Sequence, residues 1–169
     1  MWYVIQVISG TEHVIEQQCN KMIREGEEVF IPLIKRIKRV RGVDLEEQKT
    51  MFPGYVFFDT NEIEDLFIRL KKISKLTKIL KTGDEFTPIS EKEEEMIRRL
   101  GGSKHLIELS IGFKEGDKVV ITDGPLLGLE SRIRSINRTR RTAVLEVPLM
   151  GETRDVTVAL KVLNKDTVE

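Results

Sequence analysis

The stretch from Thr50 to Thr60, Thr-Met-Phe-Pro-Gly-Tyr-Val-Phe-Phe-Asp-Thr, constrains the fold more than any other. It gathers three of the seven phenylalanines and one of the two tyrosines beside Pro53-Gly54, a pair that marks a turn or bulge leading into a strand. Strand alternation then puts Tyr55 and Phe57 on one face and Val56 and Phe58 on the other. Both faces are apolar and need a cover. A sheet with helices on one side only leaves the other face to a partner. The alternative is that all four rings are core.

The flanking pattern builds a sheet around this strand. Trp2 to Ile8 is apolar except at Gln6 and rich in β-branched residues, the signature of a central strand. Ser9 and Glu12 have capping-box spacing, and Val14, Ile15, Cys19, Met22 and Ile23 follow at helical intervals up to Gly26. Glu28 to Ile34 reads as a strand with Pro32 at an edge or bulge. Lys35 to Lys49, charged around Gly42, reads as an extended hairpin projecting into solvent, basic on the way out and acidic on the way back.

After the aromatic strand, Ile63, Leu66, Phe67, Leu70 and Ile73 stripe a helix from Glu62 to Ile73, and Leu76 to Leu80 is a short strand ahead of the Gly83-Asp84 turn. Ser90 and Glu93 repeat the capping-box spacing before a charged helix that ends at Gly101-Gly102. The order β-α-β-β-α-β-α implies an α+β fold, a mostly antiparallel sheet in a split βαβ arrangement.

Residues 101–112 carry boundary signals, a glycine pair and a change from helical to strand periodicity. Beyond them Lys118–Thr122, Ser131–Ile136, Thr142–Val147, Thr153–Leu160 and Lys161–Leu163 read as short strands between turns, a pattern that suggests a small closed β-barrel. The expected division is a first domain 1–102, a linker 103–112 and a second domain 113–169.

The 28 basic and 28 acidic residues cancel, so net charge points to no partner, but the charges are blocked. Lys35–Arg41, Arg69–Lys81 and Arg132–Arg141 each hold at least five cations and no acid. The single Cys19 excludes an internal disulfide and a cysteine zinc site. His13 and His105 stand beside no second ligand or nucleophile, and Gly124 and Gly128 lack the Gly-Lys-Ser/Thr ending of a phosphate loop. Nothing here marks an enzyme or a cofactor site. No signal-like or bilayer-length apolar run occurs, so a cytoplasmic location without membrane contact is expected.

Trp2-Tyr3-Val4-Ile5-Gln6, Phe52-Pro53-Gly54-Tyr55-Val56, Pro88-Ile89-Ser90, Gly116-Asp117-Lys118-Val119 and Asp123-Gly124-Pro125 together resemble the NusG family of transcription elongation factors, in the right order over almost the whole chain. The resemblance implies a first, NGN domain of ferredoxin-like type that binds the clamp helices of RNA polymerase, and a second, SH3-like KOW barrel that recruits another partner. Its polymerase-facing aromatics fall on Phe52, Tyr55 and Phe57, shaped by Pro53, with Trp2 and Tyr3 on the adjacent strand; Trp2 reads equally well as core. The hairpin cations Lys35, Arg36, Lys38, Arg39 and Arg41 would lie beside upstream DNA, where phosphate contacts give affinity without sequence reading.

The barrel departs from the general members. Where those carry a phenylalanine-bearing loop that engages a termination factor or a ribosomal protein, this chain has Leu126-Leu127-Gly128-Leu129. It also carries Arg132 and Arg134, assigned by alternation to one strand face, and Arg138, Arg140 and Arg141 around a turn beside Asn137. Grouped guanidinium groups suit a phosphate backbone or an RNA hairpin. The combination is most similar to the LoaP branch of the family, antiterminators that act with an RNA hairpin in the nascent leader. The expected protein is a monomeric, non-enzymatic antitermination factor. A general elongation factor with a protein-binding barrel, and a stand-alone RNA-binding or ribosome-associated KOW protein, are the alternatives; the arginines also read as a solvated surface.

Overall fold

A computed structural model describes residues 1–72 and 86–164. The expected strand Leu76–Leu80, the Gly83-Asp84 turn and Ile73 lie outside the described residues. The chain packs as two units, Met1–Pro32 with Phe52–Glu94, and Leu33–Met51 with Glu95–Glu169. These units cut the chain at other places than the expected domain borders, because the hairpin groups with the C-terminal strands.

The first unit is the expected α+β layer. Strands β1 (Trp2–Gln6), β2 (Glu28–Phe30) and β5 (Tyr55–Asp59) alternate with helices α1 (Glu12–Asn20) and α2 (Ile63–Leu70), and β6 (Thr87–Pro88) completes the sheet. The order is β2-β5-β1-β6 with every ladder antiparallel, as a split βαβ fold requires. Pro32, without an N–H to give a ladder, follows the short edge strand β2, so Glu28–Ile34 is not one strand: β3 (Leu33–Val40) starts anew in the other unit.

Helix α1 stops at Asn20 instead of running to Gly26. The residues that follow are held as a turn by Arg69, which donates to the Met22 carbonyl, and by the Glu27 carboxylate, which accepts from the Arg24 N–H at 2.8 Å. Ile15 and Cys19 face the core while Val14 is exposed; burial pushes the Cys19 thiol up to about 12. The two capping-box spacings diverge. In helix α3 (Glu91–Gly101) the box closes, with the Ser90 N–H donating to Glu93 at 2.9 Å and the Glu93 N–H to the Ser90 hydroxyl at 3.2 Å. Glu12, by contrast, is buried and accepts from Gly10 N–H at 2.8 Å and Gly54 N–H at 3.1 Å.

The second unit holds a three-stranded sheet, β4-β3-β7, of β3, β4 (Val43–Thr50) and β7 (Leu106–Ile107). A five-stranded curled sheet, β10-β11-β12-β8-β9, joins β8 (Ser110–Glu115), β9 (Lys118–Asp123), β10 (Ile133–Asn137), β11 (Thr142–Leu149) and β12 (Glu152–Leu163). The expected strand count is right but its membership is not. Lys161–Leu163 continues β12, and the fifth strand is β8, much of which the sequence assigns to a linker. Leu145, Val147, Leu149, Val158 and Leu160 are buried between these strands.

The turn after β9 depends on Gly124, at φ +97°, where an added Cβ would come within 2.6 Å of Ser110 Cα. Ser110 is fully buried, and its hydroxyl accepts the Leu126 N–H at 3.0 Å. Gly124→Ala is therefore expected to cost about 2 kcal/mol, through backbone strain and a clash with fixed main chain. Thermal melts followed by far-UV circular dichroism would show the loss; an unchanged melt would mean that the turn relaxes freely.

Candidate functional site

In the first unit the aromatic side chains form a cluster on one sheet face. The β1–β5 register pairs Val4 with Phe57 and Gln6 with Tyr55, and the β2–β5 register pairs Phe30 with Phe57, so Trp2, Phe30, Tyr55 and Phe57 share that face. Ring centroids lie 5.5 Å apart for Phe30 and Phe57, 5.8 Å for Phe52 and Phe57, 4.8 Å for Trp2 and Phe30 and 6.2 Å for Trp2 and Phe57. Phe30 is the member that sequence reasoning missed. Its only signal is the alternation Glu28-Val29-Phe30, too short to assign a face.

The opposite face carries Tyr3, Ile5, Val56 and Phe58, with Phe58 against Phe86 at 4.9 Å and Phe86 against Phe67 at 5.7 Å. Tyr3 and Tyr55 therefore lie on opposite faces and do not converge. Both faces are buried: Trp2 is 1% exposed, Phe52 3%, Phe57 0% and Phe58 1%. The expectation that one face stays open for a partner is corrected, since rings on each side are core. Of the predicted site residues in this unit, those still at the surface are Pro53, exposed, and Tyr55, half-buried, in the turn ahead of β5, and Tyr3, half-buried on the opposite face.

That turn is rigidly held. Tyr55 N–H donates to Phe52 C=O at 3.2 Å, closing a four-residue turn with Pro53 and Gly54 at its centre, and Gly54 sits at φ +85° as a type II turn requires. Val7 N–H donates to Gly54 C=O at 2.8 Å, while Gly54 N–H goes to Glu12. The end of β1 and the start of α1 thus fix the backbone that presents Tyr55.

The hairpin forms as predicted, Leu33 paired with Thr50 through Val40 with Val43, but it is not a free arm. Arg36 donates to Thr157 C=O through Nε at 3.1 Å and Nη2 at 2.8 Å. Lys35 pairs with Glu108 at 2.9 Å and Glu46 at 3.6 Å, and Arg141 makes two bonds to Asp44, at 2.8 and 2.7 Å. These contacts hold the hairpin along the five-stranded sheet. Of the five cations assigned to DNA, Lys38, Arg39 and Arg41 are exposed, and Lys35 and Arg36 are half-buried in protein contacts. The register sends Lys38 and Arg39 to opposite hairpin faces; Val40, Val43 and Leu45 share the face of Lys38 and are exposed.

The barrel arginines divide in the same way. Arg132 ends a short 3-10 turn, Glu130–Arg132, and a register shift follows between Ile133 and Ser135, so alternation does not govern Arg132 and Arg134. Arg134 pairs with Asp155 at 2.6 Å, and Arg138 donates to Asn164 at 3.0 Å. Asn137 shapes the β10–β11 turn by accepting the Arg140 N–H at 3.0 Å. Arg140 is exposed and Arg141, at φ +56°, turns to Asp44. In the Leu126–Leu129 loop Leu127 is 50% exposed, and its carbonyl accepts from Arg99 at 2.8 Å.

Among the described residues no cluster of three or more His, Cys, Asp or Glu side chains is placed to hold a metal ion, and no helix is long and apolar enough to cross a membrane.

One unit, an aromatic-cored split βαβ layer, and a second, with a curled sheet and an arginine-rich turn, define a two-unit α+β protein. The NusG family model, described as transcription termination factor nusG, matches residues 1–98, and the chain belongs to that family. It is 22% identical over 170 residues to the transcription termination/antitermination protein NusG of Campylobacter jejuni, covering 97% of this chain and 96% of that one. It is 26% identical over 180 residues to the Borreliella burgdorferi protein of the same name, covering 97% of each. The solved structure described as domain interaction in Thermotoga maritima NusG is similar in fold, with a TM-score of 0.51 at 21% identity, over 95% of this chain and 92% of that one. The protein is thus a NusG-type transcription termination/antitermination factor, from a family of transcription factors rather than enzymes.

Proposed function

We propose that this factor acts in the cytoplasm as a monomeric elongation and antitermination factor that grips the clamp helices of RNA polymerase through its first unit, while the second unit binds RNA on selected operons. The observation that carries the polymerase contact is the fixed turn Phe52–Tyr55, which holds Tyr55 and Pro53 at the surface above Phe52, Phe57, Phe30 and Trp2. A half-exposed tyrosine on a rigid apolar base is a typical interface anchor, because little rotamer freedom is lost on binding. Phe52, Phe57 and Trp2 act from beneath by positioning it. Tyr3, on the other face of the inner strand β1, stands outside this contact.

Binding to core RNA polymerase tests this directly. Tyr55→Ala is expected to weaken the complex by about 1 to 3 kcal/mol with little change in thermal stability. Full affinity in a folded Tyr55→Ala protein would move the contact away from this turn.

On the same reading the hairpin's exposed Lys38 and Arg41 approach upstream DNA, and the exposed Arg132, Arg138 and Arg140 serve the leader RNA through phosphate contacts. A second reading has an observation of its own. Leu127 stands out of the Leu126–Leu129 loop, as an apolar contact for a termination or ribosomal protein would. A barrel that captures such a protein and ignores RNA would favour the general elongation factor.

A further inference from the structure

We propose that Arg39 of the hairpin joins Arg141 and Lys161 of the five-stranded sheet in one phosphate-binding seam, which takes the backbone of a structured RNA. The inference rests on the RNA-binding reading above and extends it to a part of the chain that the sequence assigned to DNA.

Asp44 is the centre of the seam. Arg39 lies directly across the hairpin from it in the β3–β4 register, and the two bonds from Arg141 at 2.8 and 2.7 Å tie it to the β10–β11 turn. Its carboxyl is held below the usual range, by the Arg141 hydrogen bonds above all, and the charges of Arg39 and Lys161 add to the effect. Leu160 N–H donates to Arg141 C=O at 2.9 Å, which brings the next residue of β12, Lys161, beside the turn that bonds Asp44, so three cations lie around one carboxylate and the surplus is positive.

The geometry suits phosphate. The bonds to Asp44 use two of the five N–H donors of Arg141 and fix the plane of its guanidinium group, so its remaining donors are pre-aimed at little entropic cost. Arg39 and Lys161 are exposed beside it. Arg36 bonding to Thr157 C=O keeps the hairpin against β12, and Lys35 to Glu108 ties it to the segment between β7 and β8, so the seam does not need assembling when RNA arrives. Arg138 and Arg140 extend the same chemistry along the β10–β11 turn, and arginine, which also stacks on unpaired bases, dominates over lysine in the set. A stem-loop offers both phosphates and unpaired bases. Lys38 on the opposite hairpin face is left outside the seam.

Full-length protein should be titrated with a short RNA stem-loop and with a DNA duplex of the same sequence, over a range of salt. At about 0.1 M salt each of Arg39→Ala and Lys161→Ala should lose about five- to eightfold in affinity for the RNA, with the salt slope falling by about 0.7 to 0.9 for each cation removed. Lys92→Ala, at an exposed lysine on α3 far along the chain from the seam residues, should bind the RNA as the parent does, and thermal melts should match throughout. If Arg138→Ala and Arg140→Ala weaken binding while Arg39→Ala and Lys161→Ala do not, the seam is overturned and the barrel's RNA-binding role stands. A parent protein that ignores the stem-loop at low salt overturns both. Equal affinity for the DNA duplex, with the same dependence on Arg39 and Lys161, overturns RNA as the occupant.

Discussion

Phe57→Ala is expected to destabilise the first unit by about 4 kcal/mol, near the middle of the range for removing a buried phenylalanine ring. The side chain is 0% exposed and touches Phe30, Phe52 and Trp2. None of the three can close the gap. Trp2 and Phe30 sit on strands fixed by ladders to β5, and Phe52 is held by the turn that Glu12 and Val7 pin through Gly54. The cavity therefore persists, and cavity cost adds to lost transfer energy. Domains are stable by only about 5 to 15 kcal/mol, so this is a large fraction of the whole. Trp2 is the single tryptophan and lies in the cluster, so the urea midpoint of its fluorescence reports on this unit. Equal midpoints for Phe57→Ala and the parent would return that face to a partner. Because the variant weakens the unit itself, loss of polymerase binding by Phe57→Ala carries no information about the interface, whereas Tyr55→Ala does.

The elements legible in the sequence are those whose cause is local. The β-branched run of β1, the aromatic run of β5, the charged hairpin and the reciprocal Ser90 and Glu93 box each rest on residues a few positions apart. Strand β7 was hidden because its partner is far along the chain, Leu106 pairing with Leu33; β8 pairs Ser110 with distant Leu160 on one edge and Glu115 with nearby Lys118 on the other. Gly112 deepened the error. It reads as linker, yet it is a strand glycine whose Cβ would lie 2.7 Å from Val120 C=O. Ser9 and Glu12 show the converse, a correct local spacing overruled because the Glu12 carboxylate is taken by Gly10 and Gly54.

The same division holds at the site. Which residues carry aromatic or cationic chemistry was readable, but which of them are spent inside the fold was not. Arg36 bonds to a carbonyl 121 positions away and Arg141 to a carboxylate 97 positions away. No run of charge announces either contact. Alternation likewise placed Tyr55 and Phe57 on one face correctly, but only tertiary packing decides that Phe57 is covered and Tyr55 half open.

Arg69→Ala is expected to cost about 3 kcal/mol, at the lower end for breaking a buried ion pair by removing one partner. Arg69 sits on α2 with 11% of its side chain exposed, opposite Glu27 with 10% exposed, and their atoms lie 2.8 Å apart. It also holds Asp65 at 3.0 Å and the Met22 carbonyl, so one guanidinium group joins α2 to the turn after α1. Burial alone would push the Glu27 carboxyl up. The Arg24 N–H, the Thr60 hydroxyl and Arg69 together outweigh it and leave the folded value below the ordinary one. A folded value below the unfolded one means that the stabilisation is complete above the ordinary glutamate pKa of about 4.3 and is lost as pH falls through the lower folded value. Urea midpoints of parent and Arg69→Ala should therefore stand furthest apart at neutral pH and draw together only in acid below that window. Glu27→Gln keeps one acceptor oxygen for the Arg24 N–H but puts an NH2 donor where Thr60 and Arg69 now donate, and it removes the charge, so it should flatten the same acid limb. A constant gap between parent and Arg69→Ala at every pH would mean that Arg69 acts through packing and the Met22 carbonyl alone, with no electrostatic share from Glu27.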